Sequence, residues 1–209
     1  MKKFICYSSR QERLDPYSYQ AVDNPKLHYG EPGAPAKAVE FPVIPLLNGY
    51  AESNEEVELV IFTEEYGYSK RNCDLLCRRA LDLCAEKNIK LRNNAPTVVP
   101  IPYEDGIDAQ LNGFQTIIDH IDDEDEIYAC ITYSSKPGEV VEMMALRYAR
   151  QVKKNTSIEC VVYGSVDFKK HEAWIYDETA LLQLDDILKV LSEYGSSNIS
   201  QTLKKLISL

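Results

Sequence analysis

An α/β domain built on a mostly parallel, Rossmann-like sheet flanked by helices, with a C-terminal β-hairpin and helices, is the architecture this sequence predicts. Two observations carry it. From residue 57 onward, short apolar runs of strand length alternate with amphipathic stretches of helical period. Such alternation implies βαβ units and a sheet covered on both faces. The chain is also the right size, since 209 residues bury one good core with at most a small appendage. The expected division is a ligand-binding domain over residues 1–195 and a terminal helix or linker over 196–209.

The elements follow in order. A first strand over residues 3–7 runs into the polar turn Ser8-Ser9-Arg10. Residues 11–35 hold many turn formers and little periodicity, so they read as a long loop, either a functional lid rich in aromatic side chains or a disordered flap. Residues 36–51 read as a helix interrupted by Pro42 and Pro45. A strand over 57–62 ends at Thr63-Glu64-Glu65, and a helix covers 69–88. The prolines in the strand at 97–102 place it at a sheet edge or a strand end. A helix over 108–121 turns Leu111, Phe114, Ile117, Ile118 and Ile121 inward, and an acidic turn then leads to a strand over 126–133. The helix over 139–154 is so apolar in its first half that it must be deeply packed or lie in an interface. A strand over 157–163 and a further one within 168–176, turning at Lys169-Lys170-His171, complete the hairpin. Helices over 180–193 and 199–209 close the chain.

Composition narrows the function. Hydrophobic residues make up 44% and charged residues 27%, and no apolar run approaches bilayer length, so a cytoplasmic protein is expected. The net charge of −10 argues against a general or duplex nucleic-acid binder, which would carry a basic face. It leaves room for a small anionic ligand held by helix N-termini and one or two cations. Cys73, Cys77 and Cys84 fall within about 40° of one another on a helix. They share that stripe with Leu76, Ala80 and Leu81, so they read as buried small hydrophobes. Zinc-ligand spacing is absent, and no metal or cofactor is expected.

The chemistry-bearing segments are turns that follow strands. In a doubly wound sheet ligands bind beyond the carboxyl ends of the strands, where strand order reverses. The turns at 8–10, 63–65, 103–106 and 132–137 are therefore the candidates. Neither G-x-G-x-x-G nor G-x-x-x-x-G-K-[ST] occurs. Instead Thr132, Tyr133, Ser134, Ser135 and Lys136 precede Pro137, which suits the first turn of a helix. Hydroxyls, helix-start N–H groups and one ammonium gathered there favour a phosphate. Ser8, Ser9 and Arg10 repeat that chemistry on a neighbouring strand.

The stretch from Ile101 to Tyr163 resembles a CARF (CRISPR-associated Rossmann fold) domain. The shared features are Ile101-Pro102 with Gly106, a helix carrying Phe114 and Ile117-Ile118, the acidic turn, and I-Y-x-x-I-T-Y-x-x-K-P over 127–137. An apolar helix and the strand Val161-Val162-Tyr163-Gly164 follow. The resemblance implies a homodimer that binds cyclic oligoadenylate across its two-fold axis, as a sensor in type III CRISPR antiviral signalling. It assigns Ser8, Ser9, Arg10, Thr132, Tyr133, Ser134, Ser135 and Lys136 to phosphate and ribose, with Thr63 and Glu64 as lesser contacts. A ring nuclease using metal-independent 2′-OH attack is the alternative it carries. A Rossmann-like enzyme for an ordinary nucleotide is the third reading. No effector motif accompanies the sheet, so catalysis by a separate domain is not expected within these residues.

Overall fold

The first strand, β1 (Lys2–Tyr7), is central, and its side chains feed two cores in alternation. Phe4 and Cys6 point to one face and Ile5 to the other, the period-two pattern of a strand buried on both sides. These features come from a computed structural model that describes residues 1–102 and 106–193. The turn residues Tyr103, Glu104 and Asp105, the expected helix over 199–209 and the 196–209 segment lie outside the described residues.

From β1 the chain continues through β2 (Tyr17–Ala21), β3 (Ala38–Val39), α1 (Val43–Tyr50), β4 (Glu56–Thr63) and α2 (Gly67–Lys87). Next come β5 (Lys90–Leu91), β6 (Thr97–Pro100), α3 (Ile107–Asp119), β7 (Glu126–Cys130) and α4 (Lys136–Val152). The hairpin β8 (Ser157–Asp167) and β9 (Glu172–Asp177) precedes α5 (Ala180–Glu193). Among the described residues these make one nine-stranded sheet of order β3-β2-β9-β8-β7-β1-β4-β5, with β6 also paired to β4. The pairs β1–β4, β1–β7, β4–β6 and β7–β8 are parallel, while β8–β9 and β2–β3 are antiparallel. Helices α1 and α2 cover the face of Phe4, Leu59 and Tyr128, and α3, α4 and α5 cover that of Ile5, Val60 and Ala129. The result is a three-layer, Rossmann-like α/β domain.

Several local expectations need correction. The loop predicted over 11–35 contains β2, which pairs with β9 and, with β3, makes the sheet two strands wider on that side. Its Tyr17-Ser18-Tyr19 alternation is genuine strand periodicity, hidden among turn formers. The helix predicted over 36–51 is β3 followed by α1, with Pro42 as N-cap and Pro45 in the first turn, where no N–H is needed. Leu111 and Leu81 are exposed, not inward. Strand β6 pairs only with β4, the edge position its prolines require. Helix α4 begins at Lys136 and leaves Val140 60% and Met144 58% exposed, while Ala145, Leu146 and Ala149 enter the core.

At the amino end of the sheet, Lys3 is 1% exposed. Its ammonium lies 2.7 Å from Asp125, 3.2 Å from Asp122 and 3.6 Å from Glu58, and donates to the His120 carbonyl at 2.7 Å. Burial works against the charge, but hydrogen bonding and attraction to Asp125, with Asp122 and Glu58, outweigh it and hold the pKa above its usual value. Lys3→Ala is expected to destabilise the fold by about 2–4 kcal/mol, because among the described residues buried Asp125 keeps only the amino terminus of Met1, 3.5 Å away, as a cation. Urea denaturation measures this. In the wild type the contribution is fully present below the unfolded-state pKa near 10.5 and fades as pH rises through the higher folded value.

Candidate functional site

Strands β4 and β6 lie on one side of β1, and β7 and β8 on the other, so strand order reverses between β1 and β7. A crevice opens there at the carboxyl ends, as the topology requires. It encloses about 510 Å³ including its mouth, and is lined by Tyr7, Ser8 and Arg10 from β1 and its turn, and by Phe62 and Glu64 from β4. Ser69 of α2, Gln110 and Gly113 of α3, and Tyr133, Ser135, Gly138 and Val141 at the start of α4 complete it. None of the three histidines His28, His120 and His171 lines it.

The geometry sorts the residues singled out from the sequence. Ser8, Arg10, Glu64, Tyr133 and Ser135 line the crevice; Ser9, Thr63, Thr132, Ser134 and Lys136 do not. Ser8 is buried, and its hydroxyl meets Thr63 Oγ1 at 2.8 Å and Ser69 Oγ at 2.6 Å. That network ties the end of β1 to the end of β4 and the start of α2. Ser9 is buried and accepts the Gln11 N–H at 3.1 Å, while its carbonyl accepts from Asn72 Nδ2 at 2.8 Å. Arg10 forms an ion pair with the buried Glu64 carboxylate.

The second turn is also partly committed to structure. Thr132 Oγ1 accepts the Gly164 N–H at 2.9 Å, fastening β8 to the end of β7. The Tyr133 hydroxyl donates to the Glu40 carbonyl at 2.7 Å, and its ring meets Phe41 edge-on, so the ring is fixed. Ser135 is the N-cap of α4, its Oγ accepting the Gly138 N–H at 3.2 Å and its carbonyl the Glu139 N–H at 2.8 Å. Gly138 has no room for a side chain, since a Cβ there would stand 2.3 Å from Ser134 Oγ. Lys136, the first residue of α4, is exposed.

Residues the sequence did not single out complete the frame. Asn72 is buried on α2 and donates to the carbonyls of Ser9 and Gln11, both at 2.8 Å, clamping the segment that leaves β1. Its signal was a polar residue beside Cys73 on an otherwise apolar stripe. Glu142 is wholly buried on α4, and neither carboxyl oxygen has a hydrogen-bond partner. Its signal was a lone acid within Val140-Val141-Glu142-Met143-Met144. Burial, and secondarily the Glu139 charge, push its carboxyl well above the usual range. Burial, with Glu142 as a further cause, also raises the Tyr7 hydroxyl.

A second pocket adjoins the first across Tyr133. It encloses about 700 Å³ including its mouth and lies between the segment after β1 and the carboxyl end of β8. Among the described residues, no three His, Cys, Asp or Glu side chains group as metal ligands, and no helix is long and apolar enough to cross a membrane. All six cysteines are free thiols. The sequence matches no protein-family model and has no significant match among curated proteins.

Glu142→Gln isolates the buried acid. A folded pKa above the unfolded value near 4.5 means the native state holds its proton where the unfolded chain releases it. Wild-type stability should therefore fall relative to the variant as pH rises above that value, by up to about 1.4 kcal/mol per pH unit. Parallel urea midpoints for the two proteins across acid to neutral pH check the sign.

Proposed function

We propose that the chain is a sensor that binds cyclic oligoadenylate at the β1–β7 crevice, with the ligand lying across the two-fold axis of a homodimer. The observation that carries this reading is the meeting of two turns, Ser8 to Arg10 and Tyr133 to Gly138, at the reversal of strand order. The CARF resemblance over Ile101–Tyr163 points to the same turns. The crevice is open at its mouth and encloses too little space for a whole nucleotide, so it takes only part of a ligand. A larger ring then needs a second copy, and a symmetric ligand suits a symmetric dimer.

A surface for that copy lies beside the crevice. Val140 and Met144 on α4, Leu181 on α5, and Ile107 and Leu111 on α3 are exposed, and an apolar groove lined by Val140, Met143, Met144, Leu181 and Leu182 runs between α4 and α5. A two-fold axis running roughly along α4 through this face would set the two α4 N-termini, and with them two crevices, on the same side of the dimer. The dipole at each N-terminus favours the ligand's phosphates. The hydroxyls of Ser8, Thr63, Thr132 and Tyr133 are held in internal hydrogen bonds, which favours binding over turnover.

A thermal-shift panel of cyclic tri-, tetra- and hexa-adenylate against ATP, NAD and S-adenosylmethionine tests the reading. Stabilisation by one ring size with no comparable shift from the others is expected. Stabilisation by a single-copy cofactor alone would replace the sensor with an ordinary nucleotide enzyme. Because Lys136 is exposed at the start of α4, Lys136→Ala should leave the melting temperature unchanged. It should weaken cyclic oligoadenylate about threefold, through lost charge attraction at the helix start, since Lys136 stands outside the crevice lining.

A further inference from the structure

A line of thiols runs from the sheet toward solvent along α2. Cys6 at the end of β1 and Cys73 on α2 are buried in one core, and Cys77 packs half-buried at its rim. The helical stripe predicts Cys77 as a buried hydrophobe, yet one side of it reaches solvent. Cys73 and Cys77 stand one turn apart on the same face of α2, with their thiols in hydrogen-bond contact. Cys73 follows Asn72, whose carboxamide clamps the carbonyls of Ser9 and Gln11, so the pair lies next to the segment that leaves β1.

The two thiols are not equivalent. The hydrogen bond from Cys73 holds the Cys77 thiol below its usual pKa, against burial and the Asp74 charge and with help from Lys70. The same contact, with burial, pushes Cys73 up and favours its protonated form. Cys84, further along the same helix, supplies an internal contrast: it is buried, and burial pushes its thiol to about 11. A low-pKa thiol that reaches solvent is the type that peroxides oxidise, and a buried protonated one beside it is the type that resolves the product.

We propose that Cys73 and Cys77 form a dithiol that a hydroperoxide oxidises to a disulfide, with Cys77 attacking and Cys73 resolving. The Cys77 sulfur attacks a peroxide oxygen and the O–O bond breaks. The departing hydroxide or alkoxide takes up a proton, and Cys77 is left as a sulfenic acid. The Cys73 sulfur then displaces that hydroxyl, which leaves as water with the Cys73 proton as the S–S bond forms. Both thiols are oxidised and the peroxide is reduced. On a helix the Cα atoms of such a pair lie about 6 Å apart, inside the span a disulfide accepts. Their Cβ atoms start about 5–6 Å apart and a disulfide needs about 4 Å, so closing the bond tightens the turn that follows Asn72. A bond reached with strain is also readily reduced again by thiols. The inference is independent of what the crevice binds.

Hydrogen peroxide treatment, alkylation with iodoacetamide and tryptic mass mapping test it. Cleavage after Arg71 and Arg78 leaves both thiols in one peptide, Asn72 to Arg78. In the oxidised wild type this peptide should lack two hydrogens and take no alkyl label, and dithiothreitol should restore both labels. Cys77, below the usual 9.0, carries at least about a hundredfold more thiolate than Cys84. Its lower intrinsic nucleophilicity offsets about tenfold of that, so Cys77 should react about tenfold faster than Cys84, or more. Cys73→Ser should stop at a sulfenic acid on Cys77 that dimedone captures, and Cys77→Ser should leave Cys73 reduced. Full alkylation of both thiols in the treated wild type would overturn the proposal, whether or not the variants fold. So would oxidation seen only in urea, or a disulfide that joins Cys73 to Cys6 instead.

Discussion

Lys3 is the anchor on which the alignment of the central strands rests. It sits at the amino end of β1, opposite Glu58 of β4 in register and beside the turn that launches β7. One buried ammonium thus ties together the three strands whose far ends form the crevice. In parallel strands a one-residue slip would turn every inward side chain outward. With Lys3 paired to Glu58 and Asp125, the register carries Tyr7 opposite Phe62 and Cys6 opposite Cys130 at the carboxyl ends. The charges also make the arrangement selective, because a slipped register would leave Lys3 and Asp125 buried and poorly paired.

At the opposite edge, polar groups do two kinds of work, and the structure separates them. Ser8, Thr63 and Ser69 form a closed hydroxyl network, and Thr132 holds Gly164. These residues fix the ends of β1, β4, β7 and β8 against one another. Buried hydroxyls need such partners, because each left without one costs as much as a lost hydrogen bond. The groups facing the crevice are then few: Arg10 with its Glu64, the Ser135 cap and the side of Tyr133. A site of this kind relies on position more than on charge, which suits a chain with a net charge of −10.

Periodicity made most of the fold legible. The alternation of apolar runs and helical stripes placed the parallel strands and the helices over them, and the turns at 8–10 and 132–137 meet at the reversal in strand order. What the sequence hid follows a physical pattern. Strand β2 has five residues and β3 only two, too short for a period to rise above the surrounding turn formers. Leu111 and Leu81 looked inward because a helical period cannot tell a core from an open apolar face. Within the site, residue type predicted chemistry but not allegiance: nothing in the letters shows that Thr132 faces Gly164 while Ser135 faces the crevice. That distinction depends on which side of a turn each hydroxyl leaves, which only the packed strands decide.

Glu142 sets a further constraint on how the crevice works. Its carboxyl lies one helical turn beyond Gly138, behind the wall formed by Tyr7, and its influence reaches Cys6, Cys130 and Tyr7. Helix α4 offers the positive end of its dipole to the crevice, and an ionised acid one turn inside would cancel much of that field. Burial works against that cancellation, because it disfavours the ionised form. The same burial that costs stability therefore protects the electrostatics of the helix start. Anion binding and protonation of Glu142 must then be linked in the same direction, since each favours the neutral acid. The acid thus keeps a polar group one turn inside the helix start, in a place that disfavours its negative charge.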